Sequence, residues 1–120
     1  MKAYKIISED KGKIKKELVV SDVMEARGIF NRSFGLIIKR KLKDRQALLI
    51  KKCKSVHTIG MRYRIDVIFL DKDNRVCAIY CNLRPFRITL FVRDAFSVLE
   101  VKAGLIEKTT LKVTDALIFS

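Results

Sequence analysis

The chain has 120 residues, 49% of them hydrophobic, with 26 Lys/Arg against 13 Asp/Glu for a formal charge of +13. That length supports a single domain, 1–120, with a real core, and the apolar content excludes wholesale disorder. No apolar run approaches the roughly 20 residues a membrane-spanning helix needs, and the opening MKAYKIISEDKGK lacks the apolar region and cleavage site of a signal peptide, so a soluble, cytoplasmic protein is expected.

Reading along the chain, Tyr4 to Ile7 is a short strand and Glu9-Asp10-Lys11-Gly12 a turn. Lys16 to Ser21 is a second strand, with Leu18 and Val20 on one face and Val19 on the other. Asp22 and Glu25 then have capping-box spacing, so either a helix starts there or the strand runs on to Ala26 and the helix starts near Gly28. A helix over about 28–39 puts Ile29, Ser33, Leu36, Ile37 and Arg40 near one face, with Gly35 inside it. Lys41 to Gln46 is a polar loop, Ala47 to Ile50 a short strand, and Cys53 to Met61 a second loop.

The cleanest signal follows. From Arg62 to Leu70, Tyr63, Ile65, Val67 and Phe69 alternate with Arg62, Arg64, Asp66, Ile68 and Leu70, which marks a strand. The second set starts polar and ends apolar, so one end of the strand is expected to emerge from the core. Asp71-Lys72-Asp73-Asn74 is turn chemistry, and Arg75 to Cys81 returns antiparallel. Pro85 interrupts the pattern, Ile88 to Val92 reads as a brief strand, and Phe96 to Val101 as a central one with both faces apolar and Glu100 partly buried. Ala103-Gly104 ends it, Leu105 to Leu111 suits a short helical turn, and Ala116 to Phe119 is the last strand. These elements predict a mainly β domain, an antiparallel sandwich or barrel with one helix.

At this point the residues resemble a known family, the domain of unknown function 192. The resemblance runs from about Ala26 to Ile118, through GLIIKRKLKDRQALLI, CKSVHTIGMRYRIDVIFLD, LRPFR and AFSVLEVKAG in that order. His57, Met61, Asp66, Asp71, Arg84, Glu100 and Gly104 stand at positions that match the family's motifs. The chain departs from the family at Ile59, often aromatic, at Arg64 and Lys102, often proline, and at Thr114, often glycine. The resemblance implies a compact β-rich domain of a mostly bacterial and archaeal family and brings no established activity with it.

Several residues carry chemistry worth weighing. His57, the one histidine, is a general base, a ligand or a loop-pinning structural residue; no nucleophile elbow or phosphate loop accompanies it, so no cofactor is expected. A hydrolase would use it with Asp66 or Glu100. Asp66, Arg84 and Glu100 read most simply as a buried Arg–carboxylate network that holds strand register. Cys53, His57 and Met61 recur every four residues, a donor set suited to a soft ion, although buried core residues explain them as well. Cys77 and Cys81 lie about 13 Å apart on one strand by strand rise, and three cysteines in a cytosolic chain argue against a disulfide framework.

Charge is uneven: residues 1–60 hold 16 Lys/Arg and 6 Asp/Glu, residues 61–120 hold 10 and 7. Lys39, Arg40, Lys41, Lys43, Arg45, Lys51, Lys52 and Lys54 face only Asp44 in their stretch. A solvated face in a lysine-rich, thermophile-like composition is one reading. Non-specific nucleic-acid binding is another, with Phe34, Tyr63 and Phe86 as stacking residues. The leading expectation is a non-enzymatic binding or accessory module. Its polar face, built from the His57–Met61 loop, Arg84 and Arg87, would receive an anionic ligand or a protein partner.

Overall fold

The structure, a computed structural model, describes residues 1–26, 42–58 and 62–120. The helix expected over 28–39 lies outside the described residues. Among them the chain forms β1 (Ala3–Asp10), β2 (Lys13–Val20), β3 (Asp22–Glu25), β4 (Gln46–Lys51), β5 (Ile65–Leu70), β6 (Val76–Leu83), β7 (Ser97–Lys102) and β8 (Leu117–Phe119). They make a three-stranded sheet, β2-β1-β8, and a five-stranded sheet, β3-β4-β7-β5-β6. Among the described residues both sheets have free edges, so the architecture is sandwich-like rather than a closed barrel. Pairing is antiparallel except between β3 and β4.

The turns follow from their residues. Lys11 and Gly12 join β1 to β2 with φ of 50° and 78°, the two positive values of a type I′ hairpin turn, whose twist matches that of the strands. Between β5 and β6, Asp71 Oδ1 accepts the amides of Asp73 and Arg75 at 2.8 and 2.9 Å, and Asn74 takes φ 60°, a conformation Asn tolerates. Around Asp22 the strand reading holds and the helix reading does not. Asp22–Glu25 lies parallel to Gln46–Leu49, and Val23, buried at 5% exposure, donates its amide to Met1 O at 2.7 Å. Tertiary pairing and burial of Val23 outweigh a local capping signal of about 1 kcal/mol.

One core fills the space between the sheets: Ala3, Val20 and Leu117 from the smaller sheet meet Leu49, Ile68, Leu70, Leu99 and Val101 from the larger. Lys5 also lies here, but its ammonium is fully engaged, donating to Thr110 O and Oγ1 at 2.9 Å each and pairing with Asp115 at 3.1 Å. A second core lies on the other face of the larger sheet. There Leu48, Ile50, Ile65, Val67, Phe69 and Val98 are covered by Cys53, Val56 and Ala95 from the loops. β7 is central and buried along Ser97–Val101, as its apolar faces predict. Each large aliphatic side chain so buried contributes about 1.5–3 kcal/mol.

The polar end of the Arg62–Leu70 stretch emerges as expected at Arg62 and Arg64, both exposed, although Asp66 is 0% exposed and its carboxylate is met by main-chain donors. Two expectations are corrected. Glu100 is 1% exposed, not partly buried. Ile88 to Val92 is not a strand: only Ile88 makes a β-bridge, to His57. The facing segment is irregular, with the Val56 amide bonded to Thr89 Oγ1 at 2.9 Å instead of to a carbonyl. The helical turn expected near 105–111 is a 3-10 turn at Ile106–Lys108.

Candidate functional site

The loop after β4 and the loop between β6 and β7 are stitched together by main-chain bonds. Thr58 N donates to Arg87 O at 2.7 Å, Phe86 N to Thr58 O at 3.0 Å, Thr89 N to Val56 O at 2.8 Å, and Val92 N to Lys54 O at 2.7 Å. Thr58 is the pin. Its side chain is fully buried; its hydroxyl donates to Arg84 O at 2.6 Å and accepts the Arg87 amide at 2.8 Å. The turn Arg84-Pro85-Phe86-Arg87 is thereby set. Pro85 supplies the fixed φ of the second position, and Phe86 takes φ 59° at the third, where glycine is ordinarily required. The outcome is a surface of His57, Arg84 and Arg87, all exposed, with Phe86 between the arginines at 66% exposure. Met61, expected in the same face, lies outside the described residues.

Beside this surface is a cavity of ≈ 1130 Å³. Ile50, Cys53, Val56, Ala95 and Glu100 form its buried wall, and Lys52, Lys54, His57, Lys72, Arg93 and Phe91 stand on its exposed rim with Asp71, Asp73 and Asp94. Lys54 braces the rim, donating to Arg93 O and Ala95 O at 2.6 and 2.7 Å. Glu100 Oε1 is buried without a hydrogen-bond partner among the described residues, and burial pushes its carboxyl up to about 7. The phenol of Tyr63 is raised too, first by burial and then by the negative charge of Glu100.

Asp66 has the opposite environment. Its Oδ1 accepts the Asn82 amide at 2.7 Å, and its Oδ2 accepts the amides of Gly104 and Ile106 at 3.1 Å each. β6 bulges at this point: Ile65 pairs with Leu83 and Val67 with Tyr80, so Cys81 and Asn82 oppose Asp66. Asn82 adopts φ 57° there. Asp66 therefore holds the bulge and the start of the 3-10 turn together.

The expected Arg–carboxylate network is not formed. Arg84 is exposed, Asp66 is saturated by backbone, and Asp66 and Glu100 lie on opposite faces of the sheet. Asp66 is thus unavailable as a partner for His57, whereas Glu100 and His57 border the same cavity. The donor set Cys53, His57 and Met61 is placed only in part: Cys53 is buried and donates its thiol to Ser55 O at 3.0 Å, while His57 is exposed. Among the described residues no group of three His, Cys, Asp or Glu is arranged to hold a metal ion. Of the basic set, Lys39, Arg40 and Lys41 lie outside the described residues. Lys43 and Arg45 precede β4, while Lys51, Lys52 and Lys54 lie at or beyond its far end, about 20 Å away by strand rise. Lys51 pairs with Glu25 at 3.4 Å. Of the proposed stacking residues, Phe34 is outside the described set and Phe86 is the exposed one.

Sequence reasoning did not assign Thr58 its loop-pinning role and underrated Phe86. A proline followed by a bulky residue, where a turn wants glycine, was the available signal for Phe86. Thr58 carried none, because a buried hydroxyl with two partners is created only by the loops meeting.

No helix among the described residues is long and apolar enough to cross a membrane. The model of the family DUF192, described as "Uncharacterized ACR", matches residues 10–119. No curated protein matches the chain. Two solved structures share the fold. One is a protein of unknown function from Novosphingobium aromaticivorans DSM 12444, with TM-score 0.74 and 18% identity over 98% of this chain and 84% of that one. The other is described as a "putative transcription regulator" from Sinorhizobium meliloti 1021, with TM-score 0.73 and 19% identity over 98% and 92%.

Proposed function

The chain belongs to the DUF192 family, and on that premise we propose that residues 1–120 act as a non-enzymatic binding module whose surface of His57, Arg84, Phe86 and Arg87 receives an acidic segment of a partner protein. The observation that carries this reading is the conformation of Phe86. A non-glycine residue at φ 59° with a 66% exposed ring is unfavourable both for the backbone and for the side chain, and such strain is characteristic of binding loops. Buried Thr58 holds it in place between two arginines. Arginine and aromatic side chains on one rigid turn are the residue types that dominate binding energy at interfaces, and the cations select an acidic partner by charge.

The test uses a fluorescent peptide of Asp and Glu with leucine at every third position, followed by anisotropy. The wild-type protein should bind it, and the triple variant His57→Ala, Arg84→Ala, Arg87→Ala should bind at least about tenfold more weakly, with a nearly unchanged melting temperature. Binding that survives in the variant, or a wild-type protein that ignores the peptide, sinks the proposal.

A second reading is electrostatic nucleic-acid binding by the basic residues between 39 and 54. The charge of +13 supports it, as does the description of the Sinorhizobium structure. The separation of Lys43 and Arg45 from Lys51, Lys52 and Lys54 by the length of β4 weighs on the other side. Affinity for mixed-sequence single-stranded DNA should then fall steeply with salt; a flat salt response removes this reading.

A further inference from the structure

The cavity beside the cationic surface has a feature that the binding surface leaves unused. Glu100 sits on its buried wall, 1% exposed, with Oε1 lacking any hydrogen-bond partner. None of the ion pairs among the described residues involves Glu100. A buried carboxylate in a folded protein is ordinarily paired or fully hydrogen-bonded, because desolvation of the charge is otherwise uncompensated. Asp66, one register step away, shows the usual solution with three amide donors. Glu100 lacks it, and it lacks it while bordering a space large enough for a small molecule.

We propose that this cavity binds an elongated organic amine, whose ammonium group pairs with the Glu100 carboxylate at the inner end. The inference is independent of the cationic surface, with which it shares only His57 on the rim. Three observations define the ligand. The inner group must donate a hydrogen bond and carry positive charge, since among the described residues Glu100 has neither a donor on Oε1 nor a counter-ion. The middle must be apolar, because Ile50, Val56 and Ala95 form the wall between. The length follows from strand geometry: Phe96 and Glu100 lie on one face of β7 and its approach, four residues apart, which spans about 13 Å. At the outer end, Lys72 and Arg93 stand on the exposed rim beside Asp71, Asp73 and Asp94; with Lys52 and Lys54 the bases outnumber the carboxylates there and suit an anionic tail. The fitting ligand is therefore a long-chain ω-amino acid or a molecule of that pattern.

The experiment is isothermal titration of the wild-type protein with three probes of equal chain length: 8-aminooctanoate, 8-hydroxyoctanoate and octanoate. The proposal expects 8-aminooctanoate to bind at least about tenfold more tightly than the other two, the difference a charge-assisted bond supplies. It also expects Glu100→Gln to abolish that preference while the protein stays folded by circular dichroism. Equal binding of the amino and hydroxy compounds would show that charge on the inner group is irrelevant and overturn the proposal. Equal binding of all three, absence of binding, or an undiminished preference in Glu100→Gln would overturn it as well. The comparison of probes on wild-type protein needs no variant, so a folding failure of Glu100→Gln leaves the decision intact. None of these outcomes bears on the acidic peptide, whose binding is tested at Arg84 and Arg87.

Discussion

Asp66 and Glu100 stand one register step apart on neighbouring strands yet occupy opposite faces of one sheet: Glu100 pairs with Val67, and Asp66 with Val101. Both are essentially without solvent contact. Asp66 faces the core between the sheets, where a bulge and a turn aim three amides at it. Glu100 faces the second core, where a cavity borders it. The same residue chemistry at the same depth therefore serves two ends, architecture in one case and an unmet binding capacity in the other.

The architectural role makes Asp66→Asn a severe change. The amide removes one acceptor and turns an NH2 group toward main-chain N–H donors. The variant should lose about 2–4 kcal/mol in urea unfolding, the scale of a buried donor left unpaired beside a lost charge-assisted bond. A loss below about 0.5 kcal/mol would mean that the bulge at Cys81 and Asn82 stands without its anchor.

Glu100 predicts a pH dependence of stability. Its carboxyl titrates near 4.5 in an ordinary setting and at about 7 in the fold because of burial. The fold thus holds the proton more tightly than the unfolded chain. The associated stability is complete below about pH 4.5 and is lost as pH rises through 7, a change of about 3 kcal/mol by linkage. Glu100→Gln keeps the shape and removes the titration. The wild-type-minus-variant difference in unfolding free energy should therefore become more unfavourable to wild type between pH 5 and 8, with Gln the more stable at pH 8. A difference that is flat across that range would contradict the environment described for Glu100.

Thr114 has a φ of 84°, a region β-branched residues avoid. The backbone there is fixed by Thr114 N donating to Val76 O at 2.8 Å, and the side chain is exposed. Thr114→Gly should release strain of about 1–3 kcal/mol against a smaller loss from greater freedom of the unfolded chain, for a net gain near 1 kcal/mol in chemical denaturation. A destabilised variant would show that the threonine side chain has a compensating role.

Thr58→Val preserves volume and deletes the hydroxyl that ties Arg84 to Arg87. The Arg87 amide then loses its acceptor, for about 1–3 kcal/mol. Affinity for the acidic peptide should fall with Arg84 and Arg87 still present, because the turn that presents them loosens. Retained affinity would show that the arginines act without the geometry Thr58 imposes.

Much of this was readable before the fold was known. Alternation marked β5 and β7, the Asp-rich and Gly-containing turns marked the hairpins, and strings such as AFSVLEVKAG marked the family. These signals are local: they depend on which side of a strand a residue faces or which φ a residue tolerates, and both are properties of a few consecutive residues. The polar residues were a different matter. Asp66, Arg84 and Glu100 looked like one network, and only the pairing of β5 with β7 put the two carboxylates on opposite faces, since a shift of one residue in register reverses every side chain. Likewise the basic run before residue 54 was plain in the sequence, while its division by β4 was not. Composition, strand pattern and turns were set by the sequence itself; which charge meets which partner, and which is left facing a cavity, was decided by segments as much as 105 residues apart coming together.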